Sequence, residues 1–338
     1  MSSRASSPRP GPRRPVAEHR AALLTGLAGL TATEDVPVRE ALGRVTAEPV
    51  IARVSLPPFD NSAMDGYAVR AAEVVVDRPL PVSGRIYAGD VDVPSLTPGT
   101  AAAIMTGAPL PAGADAVVQV EHSIESDGEV RFDTAPEAGD FVRRIGDDVT
   151  AGAPILATGV LLAPRHLGAL AAAGVAEVPV CRRARVAVIS TGSELIAPGA
   201  DLRPGQIYES NATTLAALCT VNGADVVSVE TAGDGPGEFE EALESACARA
   251  DLVLTSGGIS MGEREPVRQA LDAHGWFGPV AMQPGGPQGL ARRYGTVVCC
   301  FPGNPVSVLV SFEVLLRDGL RALSGLPPVP AERARLTA

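Results

Sequence analysis

The chain has 338 residues, 46% of them apolar, enough to bury a sizeable core in two or three domains. Its formal net charge of −11 argues against a general nucleic-acid or anionic-membrane surface, either of which needs basic clusters. Five cysteines (Cys181, Cys219, Cys247, Cys299, Cys300) form an odd set without a C-x-x-C pair, which suits reduced thiols in a cytoplasmic protein better than disulfides or a zinc site.

Residues 1–15 are rich in Ser, Pro and Arg, hold Arg4, Arg9, Arg13 and Arg14, and read as a disordered arm. "AALLTGLAGLTA" (21–32) has the look of a short signal-peptide core, but Glu18 and His19 interrupt the basic-then-apolar order. The reading is therefore an amphipathic helix with Leu23, Leu24, Leu27 and Leu30 on one side. No other apolar run approaches the ~18 residues of a membrane span.

From 56 to 139 short β-prone runs alternate with Gly and Pro: "YAVRAAEVVV" (67–76), "AAAIMTG" (101–107), "DAVVQVEH" (115–122), "GEVRF" (128–132). They predict a small, mostly β domain. Residues 140–180 carry the helical "PRHLGALAAAGV" and are grouped with 16–55 as an N-terminal linking domain, making the β tract an insertion. That tract opens with "LPPFDNSAMDGYAV" (56–69), where Asp60, Asn61, Ser62, Asp65 and Tyr67 crowd among bulky apolar residues.

The expected α/β domain spans 181–325, with a tail over 326–338. Its apolar, β-branched runs are "RVAVIS" (185–190), "ADVVSVE" (224–230), "DLVLTS" (251–256), "PVAMQ" (279–283) and "TVVCCF" (296–301). Helix patterns follow Asn211, read as an N-cap with Gly223 as the stop, then cover "EFEEALESACARA" and "EPVRQALDAHG" with Pro266 at its start. Strands buried on both faces and alternating with helices predict a parallel or mixed sheet in a multi-domain α/β protein.

Each expected strand runs into Gly, small hydroxyl or acidic residues: "TGSE", "TAGDG", "GGISMGERE", "PGGP", "PGNP". Ligands of open α/β sheets bind beyond the carboxyl ends of the strands, and glycines let backbone N–H groups approach an anion. "SGGIS" and "PGNPVS", the latter opening an apolar helix over 305–323, suit phosphate or another oxyanion, although neither a Rossmann fingerprint nor a P-loop is present. Glu194, Asp234, Glu263 and Glu265 fall on the same edge, and acids beside phosphates call for a hard divalent ion such as Mg²⁺. The four histidines show no ligand spacing and read as non-catalytic.

"FDNSAMDGYAV", "IMTGAPLPAGADAVV", "RRIGDDV", "STGSEL", "GQIYESN", "SGGISMGE" and "FPGNPVS" occur in this order over roughly 20–325. The set resembles the molybdopterin molybdenumtransferase family, the MoeA-type molybdenum insertases and the E domain of gephyrin. The resemblance implies a homodimeric enzyme that takes adenylylated molybdopterin and molybdate and releases molybdenum cofactor and AMP, helped by Mg²⁺. It further implies contact with the molybdopterin adenylyltransferase and with molybdoenzymes. The matching motifs assign catalytic acids to Asp65, Asp148, Glu194, Asp234 and Glu265, the last three also as metal ligands. Substrate-binding positions fall on Asp60, Asn61, Ser62 and Thr106, then on Thr191, Gly192 and Ser193. Others fall on Ser256, Gly257, Gly258, Ser260 and Gly262, and on Pro302, Gly303, Asn304, Pro305 and Ser307.

Three features depart from the family. Gln283 and Gly286 in "QPGGP" replace the lysines of the usual "KPGKP", natural docking charges for molybdate, and Arg292 and Arg293 of "GLARRYG" are the expected substitutes. Glu265 stands where aspartate is usual, and the family's C-terminal β domain does not follow residue 338, which would leave the cleft more open. A non-catalytic carrier or regulatory relative is the alternative reading, and another pterin or nucleotide chemistry on the same fold is a third.

Overall fold

The computed structural model describes residues 13–260, 262 and 265–330. Glu263, counted above among the acids, lies outside them, as do the greater part of the arm and of the tail. Among the described residues no helix is long and apolar enough to cross a membrane.

The second half of the chain builds a six-stranded sheet in the order 225–232, 185–191, 252–256, 296–301, 287–293, 275–279. The strands Arg185–Thr191, Asp225–Ala232, Leu252–Ser256 and Thr296–Phe301 run parallel, whereas Pro287–Arg293 is antiparallel to both its neighbours. Alternate residues feed two cores, as a pleat buried on both faces requires. Val186, Val188, Leu252, Leu254, Val297 and Cys299 face the first core, with the Asn211–Val221 helix and the chain's last helical stretch. Ala187, Ile189, Val253, Val298 and Cys300 face the second, under the helices Glu238–Arg249 and Pro266–Leu271. The last stretch is continuous from Pro305 to Leu323, with a π-helical segment at Phe312–Leu316.

Two expectations are corrected here. "PVAMQ" (279–283) is not a strand beyond Pro279; the chain turns at a cis Gln283–Pro284 bond, and Gly275–Pro279 and Pro287–Arg293 pair instead. The helix Val16–Leu27 also departs from its expected group, because Leu23 and Leu27 are buried in the first α/β core against Leu320 and Leu323. The rest of the linking tract pairs with itself. Thr33–Pro37 lies antiparallel to Glu177–Cys181, and a separate core gathers Val50, Leu162, Leu170, Val178 and Val180.

Between these paired ends the chain makes an excursion into a second six-stranded sheet, ordered 116–119, 66–69, 101–104, 80–86, 129–132, 123–126. Tyr67, Val69, Ala103 and Val118 pack on one face of it, and Ala68, Ala102, Ile104 and Val117 on the other.

Candidate active site

Beyond the carboxyl ends of the parallel strands lies a cavity of about 440 Å³. Thr191 and Gly192 end one strand, Ser256, Gly257 and Gly258 end the next, and Pro302, Gly303 and Pro305 follow the third; all of them line it, with Ser260. Gly257 and Gly258 have φ of +89° and +65°, and a Cβ on Gly257 would come within 2.8 Å of the Thr191 carbonyl oxygen. Two adjacent strand ends therefore approach closely, and at Gly257 and Gly258 the cavity meets backbone rather than side chain.

The cavity wall is acidic. Glu194, Asp234 and Glu265 line it, and no basic side chain does so among the described residues. Asp234 is tied across the strand ends, its backbone N–H donating to Ser193 Oγ at 2.9 Å while its carboxylate accepts the Ser193 N–H at 3.2 Å. Glu265 accepts the Ser260 N–H at 2.8 Å, which fixes its carboxylate beside Ser260. Gly262 is exposed and does not line the cavity. No three acidic, His or Cys side chains among the described residues gather closely enough to cage an ion alone. The donor set is nonetheless of the kind Mg²⁺ uses, since that ion commonly takes one or two carboxylates and fills its octahedron with substrate phosphates and water.

Asn211 was not picked out from the sequence as a site residue, and it does not act as a cap. It begins the helix Asn211–Val221, whose first-turn N–H groups are instead satisfied by the buried Glu209 carboxylate, 2.7 Å from the Ala212 N. The Asn211 side chain donates from Nδ2 to Ser256 Oγ at 2.9 Å and to the Gly303 carbonyl at 2.8 Å, joining three loops of the cavity wall. Because a carbonyl only accepts, these contacts fix the amide orientation and leave Oδ1 buried with no partner. A polar string, "YES", just before an apolar helix was the available sequence clue; Tyr208 and Ser210 also line the cavity.

The motif at 56–69 forms a separate cluster. Asp60 accepts the Ile145 N–H at 2.8 Å and a guanidinium N–H of Arg144 at 2.7 Å, and these contacts hold its carboxyl below the usual range. Asn61 and Ser62 are buried and bond within the loop, to the Phe59 and Met64 carbonyls. Asp65 is exposed, and its carboxylate accepts both the backbone N–H and the hydroxyl of Thr106 at 2.7 Å, which lowers its pKa. Asp148 is exposed on the neighbouring turn, its N–H bonded to the Leu56 carbonyl. None of Asp60, Asn61, Ser62, Asp65, Thr106 and Asp148 lines the cavity of its own chain.

Asn304 and Ser307 line a neighbouring cavity of about 470 Å³, formed against the 279–287 loop and sharing Pro287 with the first. Arg292 and Arg293 are corrected. Their strand runs antiparallel, so its end lies beside Thr296, at the start of the adjacent strand and away from the ligand edge. There Arg292 donates to the Gly26 and Gly295 carbonyls, and Arg293 pairs with Glu240 at 2.6 Å.

A doubly covered α/β sheet with an acidic, glycine-floored cleft beyond its carboxyl ends, joined to a separate β sheet, defines the class of protein. Residues 14–174 match the family described as MoeA N-terminal region (domain I and II), and residues 187–322 match the probable molybdopterin binding domain. Molybdopterin molybdenumtransferase 2 of Mycobacterium tuberculosis is 48% identical over 318 residues, covering 90% of this chain and 78% of the relative. The molybdopterin molybdenumtransferase of Haemophilus influenzae is 38% identical over 309 residues, covering 90% and 76%. Two crystal structures of a molybdopterin biosynthesis MoeA protein from Pyrococcus horikoshii superpose with TM-scores of 0.79 and 0.74 at 31% and 30% identity. They cover 93% of this chain, and it covers 81% and 80% of theirs. The chain belongs to the molybdopterin molybdenumtransferase family.

Proposed function

We propose that this chain is a molybdopterin molybdenumtransferase that converts adenylylated molybdopterin and molybdate to molybdenum cofactor with release of AMP. The observation that carries the reading is the cleft at the strand ends, glycine-floored and acid-walled, inside the segment that matches a molybdopterin-binding domain. The open floor at Gly257 and Gly258 accommodates a phosphoanhydride close to backbone, and Asn211 holds the three surrounding loops in register. One or two of Glu194, Asp234 and Glu265 would hold Mg²⁺ together with the substrate phosphates; when bound, the ion would neutralise charge that these acids would otherwise repel.

Asp65, pinned ionised by Thr106 yet open to solvent, and Asp148 carry the remaining acid positions. Since their loops do not line their own chain's cleft, the working unit is a homodimer in which each protomer lends them to its partner's site. The proposed setting is cytoplasmic, with the adenylyltransferase upstream and molybdoenzymes downstream. Neither nucleic acid nor a membrane is a proposed partner.

The test is AMP release by the purified chain from adenylylated molybdopterin. Turnover should require both molybdate and a divalent ion, and sedimentation should give twice the chain mass. Turnover that persists after chelation, or full activity in a strict monomer, would remove the reading.

A further inference from the structure

The second sheet ends in the hairpin formed by 123–126 and 129–132. The strand 123–126 is outermost, so the N–H and C=O groups along its outer edge meet no neighbouring strand among the described residues. Ile124 on this strand is 74% exposed. Beside the hairpin opens a cavity of about 510 Å³, larger than the cleft at about 440 Å³. Five acids line it, Asp77, Glu121, Asp127, Glu129 and Asp133, against Arg131 and His122, and His122 is held by Asp133 at 2.9 Å. No three such groups among the described residues gather closely enough to cage a metal ion. The charge is instead spread along the hairpin, which suits spaced guanidinium groups on an extended chain added to a free sheet edge.

This protein carries a segment of that chemistry. Residues 1–14 hold Arg4, Arg9, Arg13 and Arg14 and no acid, and 2–7 contain no proline, so their N–H groups are available to an edge strand. The end of the segment is anchored. Arg14 donates its N–H to the Pro279 carbonyl at 2.9 Å, and its own carbonyl accepts the Ala281 N–H at 2.8 Å. Its guanidinium lies over Trp276, 3.6 Å from the ring centroid, and pairs with Glu18 at 3.2 Å. This anchoring corrects the sequence expectation of a disordered arm as far as residues 13–15.

The loop that holds Arg14 adjoins the cleft at Pro287. In the proposed homodimer that cleft receives the 56–69 loop of the other protomer. The Asp65 carbonyl of that loop accepts the Val120 N–H at 3.0 Å, one residue before Glu121. The root of one arm and the acidic hairpin of the other protomer then flank the same cleft. We propose that residues 1–12 of each protomer dock on the acidic hairpin face of the other, with Arg4 and Arg9 over its carboxylates and 2–7 along the 123–126 edge. Twelve extended residues reach about 40 Å, ample to leave the anchor and cross such a face. The inference rests on the homodimer of the proposed function, and each arm would strap the two protomers together beside the cleft they build jointly.

The experiment places a photoreactive benzoylphenylalanine at Ser7 of the full chain and mixes unlabelled with isotope-labelled protomers. Mass spectrometry then maps the crosslinks formed at physiological salt. The expected crosslink joins position 7 to the 121–133 segment and couples a light protomer to a heavy one. Its yield should fall about fivefold or more in Arg4→Glu with Arg9→Glu, and equally in Glu121→Arg with Glu129→Arg. Combining the two reversals should restore it, which a merely structural effect would not. Glu121 and Glu129 are exposed, so an unchanged thermal midpoint accompanies the loss. Crosslinks that map elsewhere, that join only residues of one protomer, or that ignore charge reversal overturn the inference. Sedimentation of the same samples separates the two readings. A dimer without the 121–133 crosslink removes the docking alone, whereas a monomer removes the homodimer and the strap with it.

Discussion

His19 makes the stability of the α/β body fall in mild acid. Its ring is fully buried, 5.1 Å from the Trp276 ring, with Nε2 unpartnered and Nδ1 3.5 Å from an Arg14 guanidinium nitrogen. Burial first, and the Arg14 charge second, pull its pKa down from 6.5 to about 4. The unfolded chain protonates near 6.5 while the folded chain resists to about 4, so stability is full above the first value and drains as pH falls through the window. At 1.36 kcal/mol per pH unit the whole window is worth about 3 kcal/mol, and roughly 2 kcal/mol is lost by pH 5. Trp276 is the chain's one tryptophan, so urea unfolding followed by its fluorescence reports on this contact directly. His19→Phe keeps a ring against Trp276 and removes the titration. Between pH 7.5 and pH 5 the wild type should lose about 2 kcal/mol more than His19→Phe. Parallel losses in the two proteins would refute the argument.

Asp65→Asn should reduce AMP release by roughly two orders of magnitude while leaving the thermal midpoint nearly unchanged, because the side chain is exposed; steady-state kinetics beside calorimetry separates the two effects. Gly257→Ala combines a left-handed φ with a 2.8 Å clash against the Thr191 carbonyl, so a stability loss of about 1–3 kcal/mol is expected, measured by chemical denaturation. Asn211→Ala strips a donor from the Gly303 carbonyl and Ser256 Oγ, which should destabilise by about 1–3 kcal/mol and loosen the cleft. Asn211→Asp, which cannot donate to Gly303, should rescue neither stability nor ligand affinity.

The parallel strands were legible because runs such as "RVAVIS" and "TVVCCF" are apolar without interruption, which only a strand covered on both faces tolerates. The reversed strand was not. "PQGLARR" mixes Gly, Gln and Arg and does not look like sheet interior, and its partner "GWFGP" carries two glycines, so the more apolar "PVAMQ" between them attracted the assignment. Read as a loop, "GLARRYG" leaves Arg292 and Arg293 free to reach the ligand edge; as an antiparallel strand, a direction with no local signature, it carries them to the opposite end of the sheet. The acids 194, 234 and 265 were legible because each follows a strand; their meeting in one cavity depends only on strand adjacency. Asn211 was hidden because it looked like an ordinary helix cap, and the anchoring of Arg14 because its stretch has a composition that gives no hint that a loop some 270 residues later would hold it.

The burial of the Val16–Leu27 helix against Leu320 and Leu323 constrains the making of the protein as well as its stability. At about 5–20 residues per second a ribosome needs roughly 15–60 s to travel from Leu27 to the helix that covers it. Through that interval Leu23 and Leu27 have no native partner from the last helical stretch, while the six strands between Gly66 and Phe132 are all available to pair long before. Vectorial synthesis thus lets the inserted sheet pair first and leaves Leu23 and Leu27 uncovered on that side until the 305–323 stretch has been made.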